Sequence, residues 1–226
     1  QQFQVRNSIN MQYKLNGKTI NIPLGYNELS FKQMIGLMKM IETSQDDDVS
    51  LICLLTDIPE KELKKYPASE YIKIKYYISD WIQEVPDFKN IILPKSVTIG
   101  GETKVIPNDI GNMNVECFEM CRIAIQKYSK ETTSSSYLEL CGLIAQNYFS
   151  ILFNNDEYSP KVADQFEEKV NNLSWELVVS FGAFFLQKSK ELMTGTKKEL
   201  RNRGTHKTRL HQVMKPFRKI GAFFTR

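Results

Sequence analysis

The sequence predicts an α+β fold, mainly α-helical, in which a helical body carries two small β-hairpins and ends in a basic C-terminal helical arm. Three observations predict it. Alternating apolar residues flank Asn16-Gly17 and again Gly100-Gly101; apolar residues recur at helical spacing through most of the rest; and the last forty residues differ sharply in charge from what precedes them.

The first hairpin is expected near 11–22. Met11, Tyr13 and Leu15 alternate with polar residues, Asn16-Gly17 accepts the positive φ angles of a type I′ turn, and Ile20 and Ile22 resume the alternation. Ser30 and Gln33 then form a capping box ahead of Phe31, Met34, Ile35, Leu37, Met38 and Ile41, so a helix is expected over 30–43. Asp46-Asp47-Asp48 suits the positive end of a helix dipole before Val49 to Leu55. A short helix follows Pro59, and Pro67 separates it from a longer one over 68–84.

Ile91 to Leu93, Val97, Ile99, Val105 and Ile106 around Gly100-Gly101 predict the second hairpin, near 97–106. Helices are then expected over 114–129, 136–153 and 160–171, parted by polar turn-forming stretches. A last body helix, over 173–193, starts at Ser174. Its core face is Trp175, Val178, Val179, Gly182, Phe185 and Leu186, and Leu177, Phe181 and Phe184 form a second apolar row. That row belongs either to a helix at the centre of its domain or to a partner-binding face.

The domain expectation is therefore one body over 1–194 and an arm over 195–226. From residue 187 onward there are twelve Lys or Arg against two Glu, a balance of +10, whereas the first 186 residues carry eighteen cations against twenty-four anions, a balance of −6. Such an arm suits something negative: nucleic acid, an anionic membrane surface, an acidic protein face, or the chain's own body. Gly195 to His206, with Gly195 and Gly204 as breaks, is expected to be a flexible hinge. Beyond it Leu210, Val213, Met214, Phe217, Ile220 and Phe224 fall in a sector of roughly 120° on a helical wheel, with the cations outside. Pro216 kinks or divides this helix. The apolar stripe is the partner-binding candidate, together with Leu177, Phe181 and Phe184. Lys197, Lys198, Arg201, Arg203, Lys207, Arg209, Lys215, Arg218 and Lys219 are the candidates for anion or nucleic-acid contact.

Catalytic chemistry finds little support. Gly17-Lys18-Thr19 imitates the end of a phosphate-binding loop, but Gln12 stands where that loop needs its first glycine. The two histidines, His206 and His211, both follow residue 205, which excludes a Ser-His or Cys-His nucleophile in the body. Cys117 and Cys121, four apart on a helix, suit small apolar packing and lack two further zinc ligands; the Asp46 to Asp48 run lacks further oxygen ligands. Glu167-Glu168 is a solvated helix face rather than an acid-base pair. No metal, cofactor or catalytic residue is expected. No apolar run approaches the roughly 20 residues of a membrane span, and four cysteines with no charged-then-apolar leader predict reduced thiols and no secretion.

The order Ile22-Pro-Leu-Gly-Tyr-Asn-Glu-Leu-Ser-Phe31, then Val49-Ser-Leu-Ile-Cys-Leu-Leu-Thr-Asp-Ile-Pro59, then a central hairpin, then Leu173-Ser-Trp-Glu-Leu-Val-Val-Ser-Phe-Gly-Ala-Phe-Phe-Leu186, resembles small structural and morphogenesis proteins of tailed bacteriophages, such as tail-assembly chaperones and baseplate-hub subunits. The resemblance spans roughly 10–190 and leaves out the arm. It implies a non-enzymatic tail, baseplate or connector protein, located in the virion or the host cytoplasm, whose partners are other phage structural proteins. The alternative from the charges is a sequence-nonspecific nucleic-acid-binding protein.

Overall fold

In the computed structural model, residues 11–15, 18–45, 47–82, 86, 88, 91–155 and 157–202 are described. They are mainly helical, with two two-stranded antiparallel sheets. The chain divides into two compact units, Gln1–Asp87 and Phe88–Arg226, where the sequence suggested a single body. Each hairpin opens a unit.

In the first unit, β1 (Met11–Leu15) pairs with β2 (Lys18–Ile22) so that Met11 faces Ile22 and Leu15 faces Lys18. The register leaves residues 16–17 as a two-residue connection, as Asn-Gly predicts; the turn itself lies outside the described residues. Alternation along β2 buries Ile20 and Ile22. Trp81 then anchors the chain after the strand: its Nε1–H donates to the Pro23 carbonyl at 2.9 Å, and its ring meets Tyr26 edge-on at 5.0 Å.

Helix α1 (Phe31–Glu42) begins at the predicted capping box: the Gln33 N–H donates to Ser30 Oγ at 3.3 Å and the Ser30 N–H to Gln33 Oε1 at 3.0 Å. It buries Phe31, Met34, Leu37 and Met38. Asp47 caps α2 (Asp48–Thr56), which ends at Asp57 in the left-handed region, φ 56°. The short α3 (Glu60–Leu63) and then α4 (Ala68–Ser79) complete the unit, contributing Leu63, Ile74 and Ile78 to the core. A Cβ on Gly36 would stand 2.6 Å from a Leu54 methyl, so this glycine lets α1 and α2 approach closely. The ion pair of Lys18 with Glu62 and the Tyr13 hydroxyl donating to Glu70 tie the hairpin to α3 and α4.

In the second unit, β3 (Ser96–Ile99) pairs with β4 (Glu102–Val105) around Gly100 and Gly101, whose φ angles of 61° and 84° are those a type I′ turn requires. Ile91 to Leu93 form no strand. Asn114 caps α5 (Val115–Tyr128), accepting from the Glu116 N–H at 2.9 Å, and Thr133 caps α6 (Ser134–Leu152). The predicted helix over 160–171 is two short ones, α7 (Pro160–Gln165) and α8 (Glu167–Asn171). The backbone tightens at Phe166, whose N–H bonds back to Ala163 as its ring turns inward onto Phe153.

The last helix, α9, runs Trp175–Asn202. The hinge expected from Gly195 is thus helical through Asn202, and the proposed boundary at 194 falls inside an element. One glycine costs a helix about 1 kcal/mol, and the Lys, Glu, Leu and Arg that follow at 197–201 are all good helix formers.

The two units share an order of elements: hairpin, capped helix, a second helix, a short stretch begun at Pro59 or Pro160, and a closing helix. The hairpins match in the spacing that follows their turns. Ile22-Pro23 and Ile106-Pro107 each follow the glycine of the turn by five and six residues, and the caps Ser30 and Asn114 each stand seven residues past the proline. The capped helices differ in the face they bury. In α1 it is Phe31, Met34, Leu37 and Met38; in α5 it is Cys117, Cys121, Ala124 and Ile125.

Candidate protein-contact site

The second apolar row of α9 resolves residue by residue. Phe181 is fully buried, its ring centroid 4.8 Å from that of Tyr148 and 4.9 Å from that of Phe149, so it is a core residue and no partner contact. This corrects the expectation for Phe181. Leu177 and Phe184 are half-buried at the margin of the same cluster. The physical reason lies in α6, which is covered on nearly every side: α5, α7, α8 and α9 all pack on it, and Tyr137, Leu138, Cys141, Ile144, Ala145 and Phe149 are buried. It is α6 that is central, and α9 supplies one of its walls. At their crossing, a Cβ on Gly182 would lie 2.5 Å from Cys141 Sγ and 2.9 Å from its Cα.

Apolar side chains left in solvent lie elsewhere. On α4, Ile72 is 62% and Tyr76 70% exposed, one helical turn apart; on α5, Val115 is 77% and Ile123 50% exposed. The sequence held a signal for the first pair. Tyr71, Ile72, Ile74, Tyr76, Tyr77 and Ile78 are too many apolar residues in one short stretch to share a single face.

The first unit also contains a groove of about 330 Å³, its floor formed by Leu37, Ile41, Leu51 and Ile82 and its rim by Asp47 and Asp48. Asp47 accepts hydrogen bonds from the Ser50 hydroxyl and the Val49 N–H, and the Ser50 bond above all holds its carboxyl below the ordinary range. Asp48 pairs with Lys75 of α4. A hollow of about 360 Å³ in the second unit is more polar, with Asn154, Gln165 and Lys169 beside Phe153 and Phe166. Lys169 lies over the Phe166 ring at 4.1 Å.

The thiols are unpaired: Cys117, Cys121 and Cys141 are buried and Cys53 is partly exposed. Burial pushes the Cys141 thiol up to about 12, and burial, then a hydrogen bond with Cys117, raises Cys121. These three fill space as small apolar side chains, the role expected of Cys117 and Cys121. Among the described residues no group of three or more His, Cys, Asp or Glu could hold a metal ion, and no helix is long and apolar enough to cross a membrane.

Of the candidate arm residues, Lys197, Lys198 and Arg201 lie on the α9 backbone. Arg203, Lys207, Arg209, Lys215, Arg218 and Lys219, and the stripe Leu210, Val213, Met214, Phe217, Ile220 and Phe224, lie outside the described residues. Comparison with protein-family models, with curated proteins and with solved structures finds no match to this chain.

Proposed function

We propose that this chain is a non-enzymatic component or assembly factor of a tailed-bacteriophage particle, in its tail, baseplate or connector, acting through protein–protein contacts in the virion or the host cytoplasm. The observation that carries this reading is the apolar surface left in water: Ile72 and Tyr76 one turn apart on α4, and Val115 and Ile123 separately on α5. The order of motifs from Ile22 to Leu186 supports the phage setting through the resemblance described above. The basic arm supplies a second attachment. Affinity capture of the tagged full chain from phage-producing cells, with mass spectrometry of the captured proteins and of purified particles, tests the proposal. Tail, baseplate or connector proteins are expected in the capture. Absence of the chain from particles and from assembly intermediates alike refutes it.

The charge of the arm favours nucleic-acid binding as the second reading. It requires a log–log salt dependence whose slope is about −0.9 for each phosphate neutralised on duplex DNA, and binding that stays flat across salt removes it.

A further inference from the structure

We infer that the acid-rimmed groove of the first unit receives the C-terminal segment 207–226 of a second copy of this chain. The inference rests on the reading above, in which the chain works as one subunit among several.

Two complementary patterns carry it. The groove is lined by Leu37, Ile41, Leu51 and Ile82 together with two carboxylates, Asp47 and Asp48, and by no Lys or Arg among the described residues. On a helical wheel the sequence of segment 207–226 places Leu210, Val213, Met214, Phe217, Ile220 and Phe224 in one sector, among six Lys or Arg and no Asp or Glu. An apolar stripe flanked by cations fits an apolar floor flanked by anions, the arrangement by which amphipathic segments are held in grooves. Asp47 accepts from the Ser50 hydroxyl and the Val49 N–H, and Asp48 already meets Lys75 and contributes less. Ile41 is 44% exposed on the floor, apolar surface that such a segment would cover. The hollow of the second unit lacks this complementarity, since Lys169 lines it. At about 330 Å³ the groove admits a few side chains, so Phe217, with Val213 four positions before it and Ile220 three after, is what it takes, rather than the whole stripe.

The test uses the full chain with the photo-cross-linker benzoylphenylalanine at position 217, prepared as an equal mixture of light and nitrogen-15-labelled protein. Light–heavy cross-links from residue 217 to residues 37–51 or to Ile82 are expected. Ile41→Lys, a change at a solvent-accessible side chain, is expected to reduce them about tenfold, equivalent to 1.4 kcal/mol of binding. Ile92→Lys, at an exposed side chain outside both the groove and the apolar contacts named above, is expected to leave them unchanged. Cross-links confined to light–light and heavy–heavy pairs, cross-links to the second unit alone, or indifference to Ile41→Lys each overturn the inference. A chain that co-purifies with particle proteins yet gives no light–heavy pairs loses this inference and keeps the function proposed above.

Discussion

Gly182→Ala is a demanding test of the α6–α9 crossing because a single added methyl has nowhere to go. Its carbon would lie 2.5 Å from Cys141 Sγ, 2.7 Å from Cys141 Cβ and 2.9 Å from Cys141 Cα. Carbon contacts settle near 3.5–4.0 Å, and the last of the three is backbone, so rotating a side chain cannot clear it. The helices must part, loosening Phe181 from Tyr148 and Phe149. Overpacking costs about 1–3 kcal/mol, and a clash that reaches backbone belongs to the upper part of that range, about 2–3 kcal/mol, against which alanine regains about 1 kcal/mol of helix propensity. A net loss of about 1–2 kcal/mol is expected. With a urea dependence of about 2 kcal/mol per molar, the midpoint should fall by about 0.5–1 M. Fluorescence of Trp175, buried in the second unit, reads this transition, and Trp81 reads the first unit separately. Cys141→Gly removes two of the three clashing atoms, so the double variant should recover part of the loss, with a coupling of at least about 0.5 kcal/mol. A Gly182→Ala chain with a midpoint equal to or above the parent's would refute the close crossing.

Phe181→Ala should destabilise the second unit by about 3–5 kcal/mol, while Leu177→Ala and Phe184→Ala, half-buried, should cost clearly less in the same urea titrations; equal costs would mean that Phe181 is not the core member of the row. Ser30→Ala should cost the first unit about 1 kcal/mol through loss of its cap, read from Trp81. In a native chain at neutral pH, iodoacetamide followed by mass spectrometry should modify Cys53 ahead of Cys117, Cys121 and Cys141, which react only after unfolding. Glu62, held down chiefly by its bond from Lys18, and Glu70, held down chiefly by Tyr13, bind protons less readily folded than unfolded. Their contribution is therefore complete above the usual glutamate value of about 4.3 and is lost as pH falls below it. The urea midpoint of the first unit should drop in that window, and Lys18→Met should make the drop shallower.

Local rules made most elements legible: the Ser30–Gln33 box, the Asp47 cap, the Gly100-Gly101 turn and the β-strand alternations all act within a few residues. What could not be read depended on distant partners. Phe181 and Phe184 are the same residue type three positions apart, and only the location of Tyr148 and Phe149 makes one core and the other marginal. The exposed pair on α4 and the groove of the first unit arise because α1, α2 and α4 spend their apolar residues on one another unevenly. The doubled order of elements lay in plain view, Asn-Gly and Gly-Gly each followed at equal distance by Ile-Pro and a capping residue, yet the match is in spacing more than in residue identity. Gly195 misled because the helix around it outweighs it.

That continuity has a mechanical consequence. A helix of 28 residues is a rod about 42 Å long, and its far portion carries Lys197, Lys198 and Arg201. The backbone at these positions continues the helix that begins at Trp175, so its direction there is set by the rod.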